Sequence, residues 1–569
     1  MFFQKVLKVI SSRAGLSVCL GVVVALIFGI ILDHIVVYQS TGGLFLKDID
    51  FAMQTISMIG GSTVYVSWLI GALCQWTVAG AILIGAMSAL IFFLLDRGVE
   101  NNISQKFCLA LIPVLYLLSG YELSLFIHSL RGVLAVMIIF AIWRSIRGAK
   151  LRAWVALVAI LLSFFAASEA YIICVTLIVI HLAFDSRLPW LLRATTACIA
   201  ICGAWLAPLL GAWIYNIPLT VSRTSIYGDQ SSVDIIFYIL IGAVAILSHV
   251  KAPKTLIAKW WIEPSIWLVL MVGAITISSW TFNPTLRLTM LTEQAADNQD
   301  WDEVLRLSDQ SPADDYVSAH LRTIALFRRG ELVEKLFDRP QIFGPSVLFI
   351  PWTADKDAQK IKLAHLAWAN VGLTSEALRL SFESMAGSGP SPLNVSLVSH
   401  YNRLLRRDLI ASRFDKLLSR ALLFDSVKYH SFYTPHTIAA IDCDSTYIAI
   451  SNPYANLALL TARDSTSRAA TDYMALFYLL SKDLPNFSKL LPRLDQLYGG
   501  NLPLLYQQVL ALYTVVYPDD SSISDKRSRI DRSVFELLHK FNQAASGGNL
   551  DNLPFELRRT YWYYMMTSK

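Results

Sequence analysis

The chain has 569 residues, of which 55% are hydrophobic and only 16% charged, and its mean hydropathy is +0.50. Ordinary globular chains carry about 25% charged residues, so these counts exclude a soluble enzyme, a disordered protein and a single-span anchor, and imply a polytopic membrane half joined to a soluble half. The net charge of +6 is mild and much of it falls in short loops between apolar runs, which argues against nucleic acid as a partner and for a membrane topology signal.

Residues 1–283 are expected to form a transmembrane domain. A short basic start (Lys5, Lys8, Arg13) precedes the apolar run Gly15–Val37, which is long enough to span and lacks a small-residue cleavage site. It is read as a retained first helix. About nine spans follow from the hydropathy, near 15–38, 77–96, 107–121, 124–143, 153–168, 170–184, 194–215, 232–250 and 264–282. With the N-terminus in the cytoplasm, every inner segment is basic: Arg97 and Lys106; Arg144, Arg147, Lys150 and Arg152; Arg187 and Arg193; Lys251, Lys254 and Lys259. The outer loops carry little beyond Lys47 and Arg223. This asymmetry predicts a multi-pass protein of a bacterial inner membrane whose remaining half, 284–569, lies on the periplasmic face.

The first outer loop, 39–76, is too long for a turn and too apolar for a solvated loop. Its segments 44–58 and 64–76, separated by Gly60-Gly61, fit interfacial or re-entrant helices on the outer leaflet. A tenth and an eleventh span joined by a tight turn at Gly60-Gly61 is the other reading.

The half from 284 onward has the composition of a soluble helical domain. Paired amphipathic stretches break near Gln299-Asp300, Arg329-Gly330, Val371-Gly372 and Arg407-Asp408. The spacings between Asp300, Gly330, Gly372 and Asp408 are 30, 42 and 36 residues, which straddle the 34-residue tetratricopeptide period without keeping it. Further helices are expected at 468–482, 486–498, 503–516 and 531–544, after an irregular stretch at 425–455. The predicted fold is therefore all-α: a helical membrane bundle followed by a tetratricopeptide-like array, whose concave face suits envelope proteins as partners. The aromatic end Tyr561-Trp562-Tyr563-Tyr564 is expected to dock on the array or at the membrane interface.

Charge within or beside a membrane segment is a functional hypothesis by default. Glu122, His128, Arg131, Glu169 and Arg223 are all expected near the outer face, level with Asp48 and Asp50 of the first outer loop and Asp33 of the first span. Each is also explicable as an interfacial residue paired for stability. No Walker loop, nucleophile elbow, dinucleotide fingerprint or standard zinc-ligand spacing is present, and no metal ligands are assigned.

Gly60-Gly61, Tyr65 and Gln75 in the first outer loop, Ser481-Lys482-Asp483-Leu484 with Phe487, and Leu502-Pro503 with Tyr506-Gln507 together resemble an uncharacterised family of Bacteroidota envelope proteins that joins a polytopic half to a tetratricopeptide-like outer half. The many spans and the long first outer loop are also similar, more loosely, to the type C glycosyltransferases. In those enzymes a loop carboxylate acts as base or metal ligand on a polyprenyl-phosphate sugar donor. That resemblance implies catalytic roles for Asp48 and Asp50 and lipid-phosphate or substrate binding by Glu122, His128, Arg131, Glu169 and Arg223. It also implies a polyprenyl-phosphate glycan as substrate, with a divalent metal as the cofactor such a reaction could require. The alternative is a non-enzymatic scaffold or accessory of protein export or outer-membrane assembly, anchored by its spans and working through the array.

Overall fold

The computed structural model describes residues 13–98, 126–167, 171–184, 188–227, 282–350, 358–422, 452–546 and 550–568, together with Val272 and Thr276. Among these residues every regular element is helical, and the β contact is an isolated antiparallel bridge between Leu46 and Ala421. Two compact units result: Met1–Phe282 with Arg420–Phe424, and Asn283–Ser419 with Asp425–Lys569.

The first unit is built from α1 (Arg13–Leu26), α2 (Asp33–Tyr38), α3 (Ile49–Ile56), α4 (Gly61–Leu73), α5 (Thr77–Gly98), α6 (Phe126–Ser145), α7 (Ala149–Ala167), α8 (Tyr171–Phe184), α9 (Trp190–Tyr215) and α10 (Leu219–Tyr227). The longer of these helices are apolar on both faces. Leu20, Val24 and Phe28 are buried while Val18, Val22 and Leu26 on the same stretch are exposed, and α9 presents Trp205 and Trp213 at 77% and 82% exposure. A helix that is apolar all round needs an apolar surrounding on every side.

Three of the described helices are long and apolar enough to cross a membrane: Thr77–Leu94, Ala149–Ala166 and Trp190–Tyr215. The count of about nine spans is thereby corrected to three among the described residues. Ser17–Ile31, Gly132–Ser145 and Tyr171–Phe184 are apolar helices below that length. The first run is interrupted rather than continuous: α1 passes into a π-turn at Ile27–Ile31, Leu32 leaves helical geometry at φ −111°, ψ 31°, and α2 restarts at Asp33. The spans expected at 107–121 and 232–250 lie outside the described residues, as does nearly all of 264–282.

Close backbone approach holds α1 on α5. A Cβ on Gly85 would lie 2.4 Å from the Gly21 carbonyl oxygen and 2.9 Å from Ala25 Cβ, so glycine is required at that crossing. Small residues at such a crossing are how helices pack when no water is available to drive them together. The short α6–α7 connection turns at Gly148 (φ +102°). There Trp143 Nε1 donates to the Arg152 carbonyl at 2.9 Å, and Arg152 donates back to Ile146 O at 2.9 Å. Arg193 Nη1 donates to Ala183 O at 3.1 Å, supplying one of the orphan carbonyls at the end of α8.

The segment 39–76 contains two helices, α3 and α4, of 8 and 13 residues. At 1.5 Å per residue these are roughly 12 and 20 Å long, short of the ~30 Å a span must cover. Gly60 turns the chain between them at φ +63°, and a Cβ on Gly61 would lie 1.8 Å from Thr55 O. Packing of α4 against α5, α6 and α7 ties this segment into the helical core.

The second unit is an array of helix hairpins. Its helices are α11 (Pro284–Asp297), α12 (Trp301–Gln310), α13 (Tyr316–Arg328), α14 (Leu332–Lys335), α15 (Ala358–Asn370), α16 (Thr374–Ser388), α17 (Pro392–Leu404), α18 (Asp408–Ser419), α19 (Pro453–Arg463), α20 (Arg468–Leu480), α21 (Leu484–Lys489), α22 (Leu491–Tyr498), α23 (Leu504–Val516), α24 (Ile523–Ser528), α25 (Arg532–Ala545), α26 (Phe555–Arg558) and α27 (Tyr561–Thr567). One turn recurs between consecutive helices. A left-handed residue stands at Gln299, Gly330, Gly372, Arg406 and Lys482. The next N–H bonds back five residues in each case: Asp300 to Ala295, Glu331 to Leu326, Leu373 to Trp368, Arg407 to Asn402 and Asp483 to Tyr478, at 2.8–2.9 Å. This is the Schellman arrangement, which satisfies the orphan carbonyls of the first helix. Asp300 and Asp483 then serve as N-caps of the second helix, accepting from Glu303 N and Asn486 N. The C-terminal aromatic segment docks on this array: Tyr561 and Tyr564 hydroxyls donate to Leu479 O and Leu480 O, and Trp562 Nε1 to Gln508 O.

Candidate functional site

The chain from Leu44 to Ile56 carries the two carboxylates expected to be catalytic. Leu44 and Phe45 are buried, Phe45 packs at 5.0 Å on Tyr65 and 6.0 Å on Phe51, and Phe51 stacks on Trp68 at 5.3 Å. That aromatic cluster fixes the extended segment beneath α3. Its edge is then paired by Arg420–Leu422: Lys47 N donates to Arg420 O and Leu422 N to Phe45 O, each at 2.9 Å.

Asp48 is committed twice within this frame. It stands in extended geometry as the N-cap of α3 and accepts from Asp50 N at 3.3 Å through Oδ1, while Oδ2 accepts from Arg420 Nη1 at 2.8 Å. A carboxylate at a helix N-terminus is favoured by the exposed N–H groups and the helix dipole. Asp50 lies in the first turn of α3, exposed to solvent. Arg223 is exposed on α10, which packs on α9. Among the described residues no ion pair joins Asp48 or Asp50 to Arg223. His128 and Arg131 fall on α6, three residues apart on one helical face, but their side chains lie outside the described residues, as do Glu122 and Glu169 altogether. Asp33 Oδ1 is 3.4 Å from Nδ1 of the buried His34. Among the described residues no three His, Cys, Asp or Glu side chains converge as a metal site.

An apolar groove of about 780 Å³ runs along α1 and α5, floored by Gly21, Gly29, Ala81 and Gly85 and walled by Val22, Ile30, Ile82 and Phe93. It is large enough for an alkyl chain. No residue of the segment 39–76 lines it, and Ser17 is its polar side chain.

In the second unit the motif residues of the sequence have structural tasks. Lys482 supplies a left-handed turn, Asp483 caps α21, and Phe487 is fully buried. Gln507 donates to Leu502 O and accepts from Asp531 N, and Tyr506 donates to Asp472 at 2.9 Å. Asp472 also accepts from Tyr498 and faces Arg468 at 3.5 Å. Burial raises its pKa, opposed by those hydroxyls and by Arg468.

Three histidines lie between the helices of the same unit. His320 Nδ1 is 2.8 Å from Val347 O, so that nitrogen carries the proton, and Nε2 is buried without a partner. His365 Nδ1 is 2.8 Å from Tyr401 OH, and His400 packs against the Tyr401 ring at 5.4 Å. Burial holds His320 at about 4. Burial and then the charges of Lys362 and Arg328 hold His365 at about 3, and burial with Arg403 and Arg328 does the same to His400. Nothing in the sequence marked these residues, because they come from separate helices with no common spacing.

No curated protein and no solved structure matches the chain. The model of a family described as a family of unknown function (DUF6057) matches residues 8–568, and the chain belongs to that family.

Proposed function

We propose that this is a multi-pass protein of a bacterial inner membrane whose helical array, tetratricopeptide-like and periplasmic, holds an envelope protein. In this reading it is a scaffold or accessory of protein export or outer-membrane assembly. The orientation rests on the basic inner segments, and the spans anchor the array. The observation that carries the non-enzymatic reading is the engagement of Asp48. Its two oxygens serve a helix cap and the Arg420 guanidinium, which gives the carboxylate a structural task within the fold. The hairpins of the second unit, by contrast, repeat one turn geometry, which is how stacked helix pairs build an extended binding face.

A second reading is a lipid-linked glycan transferase, with Asp48 or Asp50 as base, Arg131 or Arg223 holding a polyprenyl phosphate, and a divalent metal where the chemistry requires one. The groove along α1 and α5 favours it, since it is apolar and large enough for a lipid chain. Complementation of a deletion strain by Asp48→Asn and Asp50→Asn separates the two. The scaffold reading expects both variants to complement. Loss of complementation with normal membrane insertion would overturn it in favour of the transferase.

A further inference from the structure

Three cations stand against the buried histidines of the second unit, and two of them are neutralised. Lys362 pairs with Asp297 at 2.7 Å and with Glu293 at 3.8 Å, and Arg403 pairs with Asp415. Arg328 is the exception. It is half-buried at the end of α13, its Nε is buried without a partner, and among the described residues no carboxylate pairs with it. Its guanidinium lies 5.9 Å from the Trp301 ring. A charge taken partly out of water without a counter-charge is costly.

We infer that Arg328 is the anchor of a carboxylate-binding site on the array, completed by an acidic group of a partner peptide. A single guanidinium balances a single carboxylate and can meet it with two parallel N–H···O bonds. A phosphate dianion would ask for a second cation, and the neighbouring Lys362 and Arg403 are already paired. Trp301 offers an aromatic wall beside the guanidinium, the kind of surface that peptide-binding hot spots use. This inference rests on the reading of the array as a protein-binding surface and names the chemistry that the surface would take.

The test uses the full chain in nanodiscs and follows modification of Arg328 by phenylglyoxal with mass spectrometry. Acetate is titrated against chloride at constant ionic strength, with inorganic phosphate as a parallel arm and Arg532, 93% exposed, as the internal reference. The expected result is a several-fold, saturable slowing at Arg328 by acetate with Arg532 unchanged. Equal slowing at both arginines, or protection by phosphate at lower concentration than acetate, would overturn the site. A structural role for Arg328 predicts that Arg328→Gln lowers the unfolding midpoint, whereas the binding role predicts no fall in the absence of ligand. The chemical protection does not depend on complementation, so this site can fail while the scaffold reading stands, and the reverse.

Discussion

His320 makes the second unit acid-sensitive in a way that can be dosed. Its imidazole is fully buried, donates from Nδ1 to Val347 O, and has nothing to receive a proton on Nε2. Burial therefore lowers its pKa from 6.5 to about 4. A folded pKa below the unfolded one means that the unfolded chain takes up a proton that the fold refuses. The contribution is intact above pH 6.5, falls as the pH drops, and is fully lost below about pH 4. At pH 5 the gap is about 1.5 units of pH, and at 1.36 kcal/mol per unit His320 alone costs about 2 kcal/mol. His320→Asn keeps a donor for Val347 O and removes the titration. Urea unfolding of the full chain at about pH 7.5 and pH 5, read by a hydrogen-exchange pulse at one common pH over Tyr316–Arg328, gives each protein its own pH difference. Comparing these differences cancels the cavity left by the smaller side chain. The variant should lose about 2 kcal/mol less than wild type, and equal losses in the two proteins would refute the argument.

Gly85→Val should separate α1 from α5, because its side chain meets the Gly21 carbonyl and Ala25. A cost of about 1–3 kcal/mol is expected, read as a lower thermal midpoint in detergent. Gly203→Val is the control, since a Cβ there meets nothing within 4 Å. Asp472→Ala leaves the Tyr498 and Tyr506 hydroxyls without their acceptor, at a cost of about 3 kcal/mol. Asp472→Asn keeps an oxygen and should cost less in the same urea titration.

The sequence by itself determined what is local. Helical periodicity, the apolar runs and the breaks near Gln299, Gly330, Gly372 and Arg407 were legible because a helix and its Schellman turn are written in a few consecutive residues. The helices at Arg468–Leu480, Leu504–Val516 and Arg532–Ala545 follow the same rule. Span length is not local in this sense. Mean hydropathy does not register that the first apolar run breaks at Leu32, where the backbone rather than the composition changes. Tertiary structure alone decided which charges are occupied. Asp48 meets Arg420 across 372 residues of chain, and no spacing rule connects them. Arg328 is distinctive only by contrast with Lys362 and Arg403, whose carboxylates come from other helices of the array. Whether a charged side chain is paired, buried or open to a ligand depends on what packs beside it, and that neighbour is set by the fold.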